Sequence, residues 1–182
     1  MVGVPRRAND DDLRKVVNLL GDPIRARPAY WQLIGCNADA LPAVRDGLRE
    51  ANPDVRMWCT KLLDHLVDQD ALGDLVAMLD DPDDRVRADA LHALACERCK
   101  DNECQPDKAA VLPKAIALLD GDPSPHVRAV ACGLVGRWVH TDEIACAALL
   151  RAHADDPAPA VRKKAGWYAP GGTIHRKTMP RP

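Results

Sequence analysis

Phenylalanine is absent from the 182 residues and tyrosine occurs only twice, which excludes a core built on large phenyl rings. No apolar run approaches the roughly 20 residues needed to span a bilayer, so no membrane segment is expected. Met1–Pro5 is not followed by a long apolar stretch, so no leader peptide is expected either. Excess positive charge is missing as well: the formal net charge is -2. Residues 1–150 carry 18 Lys or Arg against 25 Asp or Glu, while residues 151–182 carry 7 against 2. An acidic body lacks the clustered cations that binding along a nucleic-acid backbone requires. The basic end could touch phosphate or an acidic partner, but it reads first as a solubilising tail. A cytoplasmic location is the expectation, and there the seven cysteines need not form disulfides. Their odd number leaves at least one unpaired in a monomer, the oligomeric state expected of the isolated chain.

What the chain does have is alanine, leucine and valine at helical spacing, and a phrase that recurs four times. The copies are Asn52-Pro53-Asp54-Val55-Arg56, Asp81-Pro82 leading to Val86-Arg87, Asp122-Pro123 leading to Val127-Arg128, and Asp156-Pro157 leading to Val161-Arg162. Each follows one apolar helical pattern and opens another, which predicts a stack of helix pairs. The first pair is expected over about 10–20 and 24–35, with Asp10, Asp11 and Asp12 at the positive end of its first helix. Pro28 is tolerable there only within the first turn. The second pair falls near 38–50 and 54–67. The third follows from Leu72, Leu75, Val76 and Leu79, then 84–98. The fourth follows from Val111, Leu112, Ala115, Ile116 and Leu119, then 126–138. The fifth follows from Ile144, Ala148 and Leu149, then a helix from about 160. Residues 1–9 read as an N-terminal extension. Pro170-Gly171-Gly172 ends the last helix, and 170–182 reads as a basic tail, extended or disordered from Thr173 onward.

The phrase has a physical logic. Asp or Asn caps free N–H groups, Pro presets a turn, and Val starts an inward-facing stripe. Four residues after each Val stands a small residue, Cys59, Ala90, Ala131 or Ala165, which lets neighbouring helices approach. Leu63, Leu94 and Val135 refill the interior one turn later. Arg56, Arg87, Arg128 and Arg162 are expected to line up between repeats and pair with turn carboxylates rather than act in catalysis.

The Asp-Pro turn, the Val-Arg opening and the small residue that follows resemble HEAT repeats, especially the short bacterial class named for bilin lyases. The resemblance covers roughly residues 10–169. It implies an all-α fold, a right-handed α–α superhelix of about five helix pairs, with second helices lining a concave binding face. It also implies a range of roles: scaffolds, chromophore-lyase subunits and, in a related architecture, glycosylases that excise alkylated DNA bases.

The rhythm stretches once. Successive valines of the phrase lie 31, 41 and 34 residues apart, and the long interval holds an insertion near 99–108 preceded by a cysteine-rich run. At about 100° per residue His92, Cys96 and Cys99 share a narrow helical stripe, and Cys104 can return from the following loop. His92, Cys96, Cys99 and Cys104 thus form a candidate Cys3His set for structural Zn²⁺. Position 92 matches Lys61 and Gly133, and position 96 matches His65 and Arg137, so neither belongs to the usual apolar stripe. No second cysteine pair completes a zinc-ribbon spacing, and unliganded cysteines beside an irregular loop, or a disulfide, remain open. Cys59, Cys132, Cys146 and Cys36 read as packing residues.

The leading functional expectation is a non-enzymatic scaffold that binds a protein or peptide on its concave face. Trp58, Arg85, Asp89, Arg137 and Trp138 are the candidate contact residues, because Trp and Arg are good interface anchors. A protein or peptide fits the mixed charge better than nucleic acid does. Two alternatives stand beside it. Damaged-base excision from DNA would need an exposed Trp, an adjacent carboxylate and converging Arg or Lys in the groove. A bilin lyase subunit or chromophore chaperone draws its weight from the family resemblance.

Overall fold

The computed structural model describes residues 9–66, 69–96 and 106–180. Their elements are helices and turns arranged as pairs: α1 (Asp10–Asn18) with α2 (Ala26–Cys36), and α3 (Leu41–Gly47) with α4 (Pro53–His65). They continue as α5 (Leu72–Ala77) with α6 (Asp84–Ala95), α7 (Lys108–Gly121) with α8 (Pro125–Gly136), and α9 (Glu143–Asp155) with α10 (Pro159–Tyr168). Short 3-10 turns extend α1 and α5 and lead into α3. The second helices stack in the order α2, α4, α6, α8, α10, and each also packs on the first helix of its own pair.

The sequence-derived pairs recur with shifted ends. Pro28 falls in the first turn of α2, where its missing N–H breaks no helical bond. The Thr173–Pro182 stretch differs from expectation: Thr173–Thr178 forms α11, which packs on α10. His140 Nε2 lies 3.0 Å from Thr178 Oγ1, and the His140 and His175 rings lie 4.3 Å apart, which ties α11 to the end of α8. Most of the insertion, with Cys99 and Cys104, lies outside the described residues.

Packing follows the phrase. Val55, Val86, Val127 and Val161 are buried, and the small residues four positions on are fully enclosed. Gly47 is small for a similar reason. A Cβ there would stand 2.5 Å from Cys59 Sγ and 2.8 Å from Val17 Cγ1.

The phrase's aspartates do a different job from the one its spelling suggests. Asn52 does cap α4, its Oδ1 accepting from Asp54 N at 2.9 Å. In the later copies Asp81, Asp122 and Asp156 stand two residues before the N-cap. Each accepts the N–H of the N-cap residue, at 2.8 Å in all three cases. Each also receives a two-pronged bond from the arginine of the preceding repeat: Arg56 to Asp81, Arg87 to Asp122 and Arg128 to Asp156, with N–O distances of 2.7 to 3.1 Å. The same guanidinium groups donate to carbonyls of their own turn, as Arg87 does to Asp81 and Pro82. A ladder of half-buried to buried arginine–aspartate pairs therefore welds successive repeats. Its planar fork geometry explains why arginine rather than lysine follows each valine.

Candidate functional site

Stacking the second helices exposes one register on their common outer face. Residues three after the phrase valine (Trp58, Asp89 and Val130) line up with residues six after it, Lys61 and His92. Together with Arg27, Tyr30 and Trp31 of α2 they line an open groove of about 500 Å³, which also takes in Asp64, His65, Ala88 and His126. That is the size range of small-ligand and side-chain pockets.

One wall is aromatic. The Tyr30 ring centroid stands 5.3 Å from both Trp31 and Trp58 and 6.1 Å from His65. Tyr30 is buried beneath the cluster, whereas Trp31 is 60 % exposed. The remainder of the groove is charged. Lys61 Nζ lies 5.2 Å from the Trp58 ring centroid, within cation–π range, and 3.5 Å from Asp89 Oδ2. Burial pushes the Asp89 carboxyl above the usual aspartate range, and Lys61 only partly opposes this.

At the groove edge, Asp64 in the last turn of α4 faces the last turn of α6. Its Oδ2 is 3.6 Å from His92 Nε2, beyond hydrogen-bond length, and its Oδ1 is buried with no hydrogen-bond partner among the described residues. One donor atom each from Asp64, His92 and Cys96 lies within 4.8 Å of the others. Cys96 is the C-terminal cap of α6.

The five residues expected at the binding face separate in space. Trp58 and Asp89 line the groove. Arg85 sits at the N-terminal ends of α4 and α6, donating to Asp54 Oδ1 at 2.7 Å and to Asp83 at 2.9 Å. Arg137 caps the neighbouring helix, its Nη1 donating at 3.3 Å to the carbonyls of Leu94 and Ala95 at the end of α6. Trp138 packs half-buried against the core, 5.9 Å from the Arg137 guanidinium. Of the four expected metal ligands, His92 and Cys96 come together; Cys99 and Cys104 lie outside the described residues.

Sequence reasoning missed Arg27, Tyr30 and Trp31, because the first pair matches the phrase weakly and offers no register to count from. It also missed Asp64, for which a signal existed. Asp64 aligns with Ala95 and Gly136, so a carboxylate stands where other repeats place a small residue.

Among known proteins, a family model described as HEAT repeats matches residues 7–95. Similar solved structures include a chain from the complex of CpcE and CpcF of phycocyanin lyase from Nostoc sp. PCC7120. It aligns with TM-score 0.69 and 21% identity over 86% of this chain and 97% of that chain. A designed armadillo repeat protein in complex with the peptide (KR)4 aligns with TM-score 0.61 and 23% identity, over 86% of this chain and 80% of that one. No curated protein matches the sequence. Among the described residues no helix is long and apolar enough to cross a membrane. At these identities the likeness to solved structures is one of fold, and it agrees with the helix pairs described above. The fold is therefore a HEAT-like right-handed superhelix of helix pairs, in which the match to the HEAT-repeat model ends at residue 95 and the same architecture continues to α10.

Proposed function

We propose that this chain is a non-enzymatic adaptor that holds a peptide segment of a partner protein in the groove along α2, α4, α6 and α8. The observation that carries this reading is the wall of exposed Trp31 and half-buried Trp58 beside the carboxylates of Asp64 and Asp89. An aromatic wall takes an apolar or guanidinium side chain, and adjacent carboxylates select a cationic one. The two similar structures support the reading, since one is a complex with a second subunit and the other a complex with a basic peptide. The test is selection of binders from a displayed peptide library, followed by affinity measurement on groove variants. Peptides selected on the native chain are expected to lose at least about tenfold in affinity on Trp58→Ala, the size of a modest hot spot. They should keep it on Trp167→Ala, whose exposed ring lies on α10 outside the groove. Equal affinity for native chain and Trp58→Ala would rule out the groove as the binding face.

A second reading, damaged-base excision, is favoured by one specific feature. The groove joins an exposed Trp, the Asp89 carboxylate and the cations Lys61 and Arg27. It ranks second because the acidic body repels the duplex on which such a base would sit. Release of alkylated base from duplex DNA by the native chain, abolished in Asp89→Asn, would promote it. A chromophore-handling role is supported by likeness of fold to the phycocyanin lyase chain, and visible absorbance after incubation with a bilin tests it.

A further inference from the structure

The geometry points to a zinc site formed by Asp64, His92 and Cys96 at the edge of the groove, independent of whether the groove binds peptide. The carboxylate is the strongest indication. The Asp64 side chain is nine-tenths buried, and its Oδ1 has no hydrogen-bond partner among the described residues. A buried carboxylate oxygen left unmatched is costly to the folded state, and a cation bound there removes that cost. Nothing in the repeat pattern demands the group, since the equivalent positions are Ala95 and Gly136. His92 and Cys96 stand at positions the repeats leave variable, Lys61 and Gly133 for the first, His65 and Arg137 for the second. One departure from the repeat and two variable positions therefore converge on one spot, and all three residues are potential metal ligands.

The donor set identifies the metal. Carboxylate oxygen, imidazole nitrogen and thiolate sulfur together suit borderline Zn²⁺ and disfavour Mg²⁺ and Ca²⁺, which take oxygen. Donors bonded to one zinc at about 2.0–2.3 Å stand within about 4 Å of each other, so a span of at most 4.8 Å closes by small side-chain rotations. His92 and Cys96 are one turn apart at the end of α6, and Asp64 is held by α4, so two packed helices position the ligands. Three protein donors leave a fourth position for water or for a group brought by whatever occupies the groove, which Asp64 and His92 also line. Bound zinc would pin the end of α6 to α4 and stabilise the fold by mass action.

The test is titration of the full chain, stripped with chelator, with Co²⁺ and then Zn²⁺. One equivalent of Co²⁺ is expected to bind with a thiolate-to-cobalt charge-transfer band, which Zn²⁺ displaces. Cys96→Ser should lose the band. Asp64→Asn and His92→Gln, checked for native circular dichroism, should lose at least tenfold in affinity. Zinc should raise the melting temperature of the native chain and not that of Cys96→Ser. The Cys99→Ser/Cys104→Ser double variant should keep the band. No binding to the native chain, or unchanged affinity in Asp64→Asn, would overturn the proposal. Loss of the band in the double variant would overturn it too, by moving the site to the cysteine set expected from sequence.

Discussion

Replacing Arg87 with alanine removes the middle rung of the arginine ladder. Its Nε and Nη2 bond both oxygens of Asp122, at 2.7 and 3.0 Å, and its Nη1 bonds the carbonyls of Asp81 and Pro82 at 2.8 and 3.1 Å. The two side chains are 11% and 2% exposed, so solvent cannot take over these bonds without distorting the turn. Asp122 would keep the N–H of Ser124 but lose its counter-charge inside the protein. Breaking a buried pair from one side costs about 3–5 kcal/mol. At about 2–4 °C per kcal/mol for a chain of this size, the melting temperature is expected to fall by about 6–20 °C. Arg162→Ala is the internal comparison. Its guanidinium donates to the carbonyls of Asp156 and Pro157 and bonds no carboxylate among the described residues, so about 1 kcal/mol is expected. Replacing both partners, as Arg87→Met with Asp122→Leu, should recover most of the loss, because no orphaned charge remains. Thermal and urea melts followed by circular dichroism read all three. A loss in Arg87→Ala no larger than in Arg162→Ala would refute the view that the ladder welds the repeats.

Other tests address single groups. The Arg128 guanidinium, with the Ala158 N–H, holds the Asp156 carboxyl below its ordinary value of 3.8, so this contribution to stability is complete above that pH and is lost as pH falls through the depressed value. Urea melts of the native chain and Arg128→Ala should therefore differ most at neutral pH and converge in strong acid. Burial pushes the Cys132 thiol up to about 12 and raises Cys59 further. Neither should react with iodoacetamide in the native protein at neutral pH, whereas half-exposed Cys36 and Cys146 should be labelled, as read by peptide mass spectrometry. Gly47→Ala drives a methyl into Cys59 and Val17 and should cost about 1–3 kcal/mol, with part of the loss returned in Gly47→Ala/Cys59→Ala, where the space is exchanged.

Much of the fold was legible because the phrase repeats and each copy samples the same environment. Val, then a small residue, then Leu or Val at steps of four marks one buried stripe, and four copies make the stripe hard to mistake. The arginine–carboxylate pairing was readable for the same reason. The site was less legible. Trp58 and Asp89 could be placed from the phrase register, but Tyr30 and Trp31 come from a first pair that spells the phrase poorly. Arg137 reads as an interface anchor, yet it is used to satisfy the last carbonyls of α6. Thr173–Thr178 follows two glycines and reads as tail, and its helix is settled by packing against α10 and His140.

The amino-acid sequence by itself determined the helix pairs, their number and the faces they bury, because 3.6-residue periodicity and turn chemistry are local properties that recur along this chain. Only the tertiary structure decided which exceptions to the repeat meet. Asp64 and His92 are 28 positions apart, and nothing local relates them. Stacking α4 on α6 places them side by side, and stacking α2 on α4 sets Trp31 and Trp58 on one wall. A repeat protein makes its surface from equivalent positions of successive helices, so its chemistry is written across the repeats and is read only when the repeats are stacked.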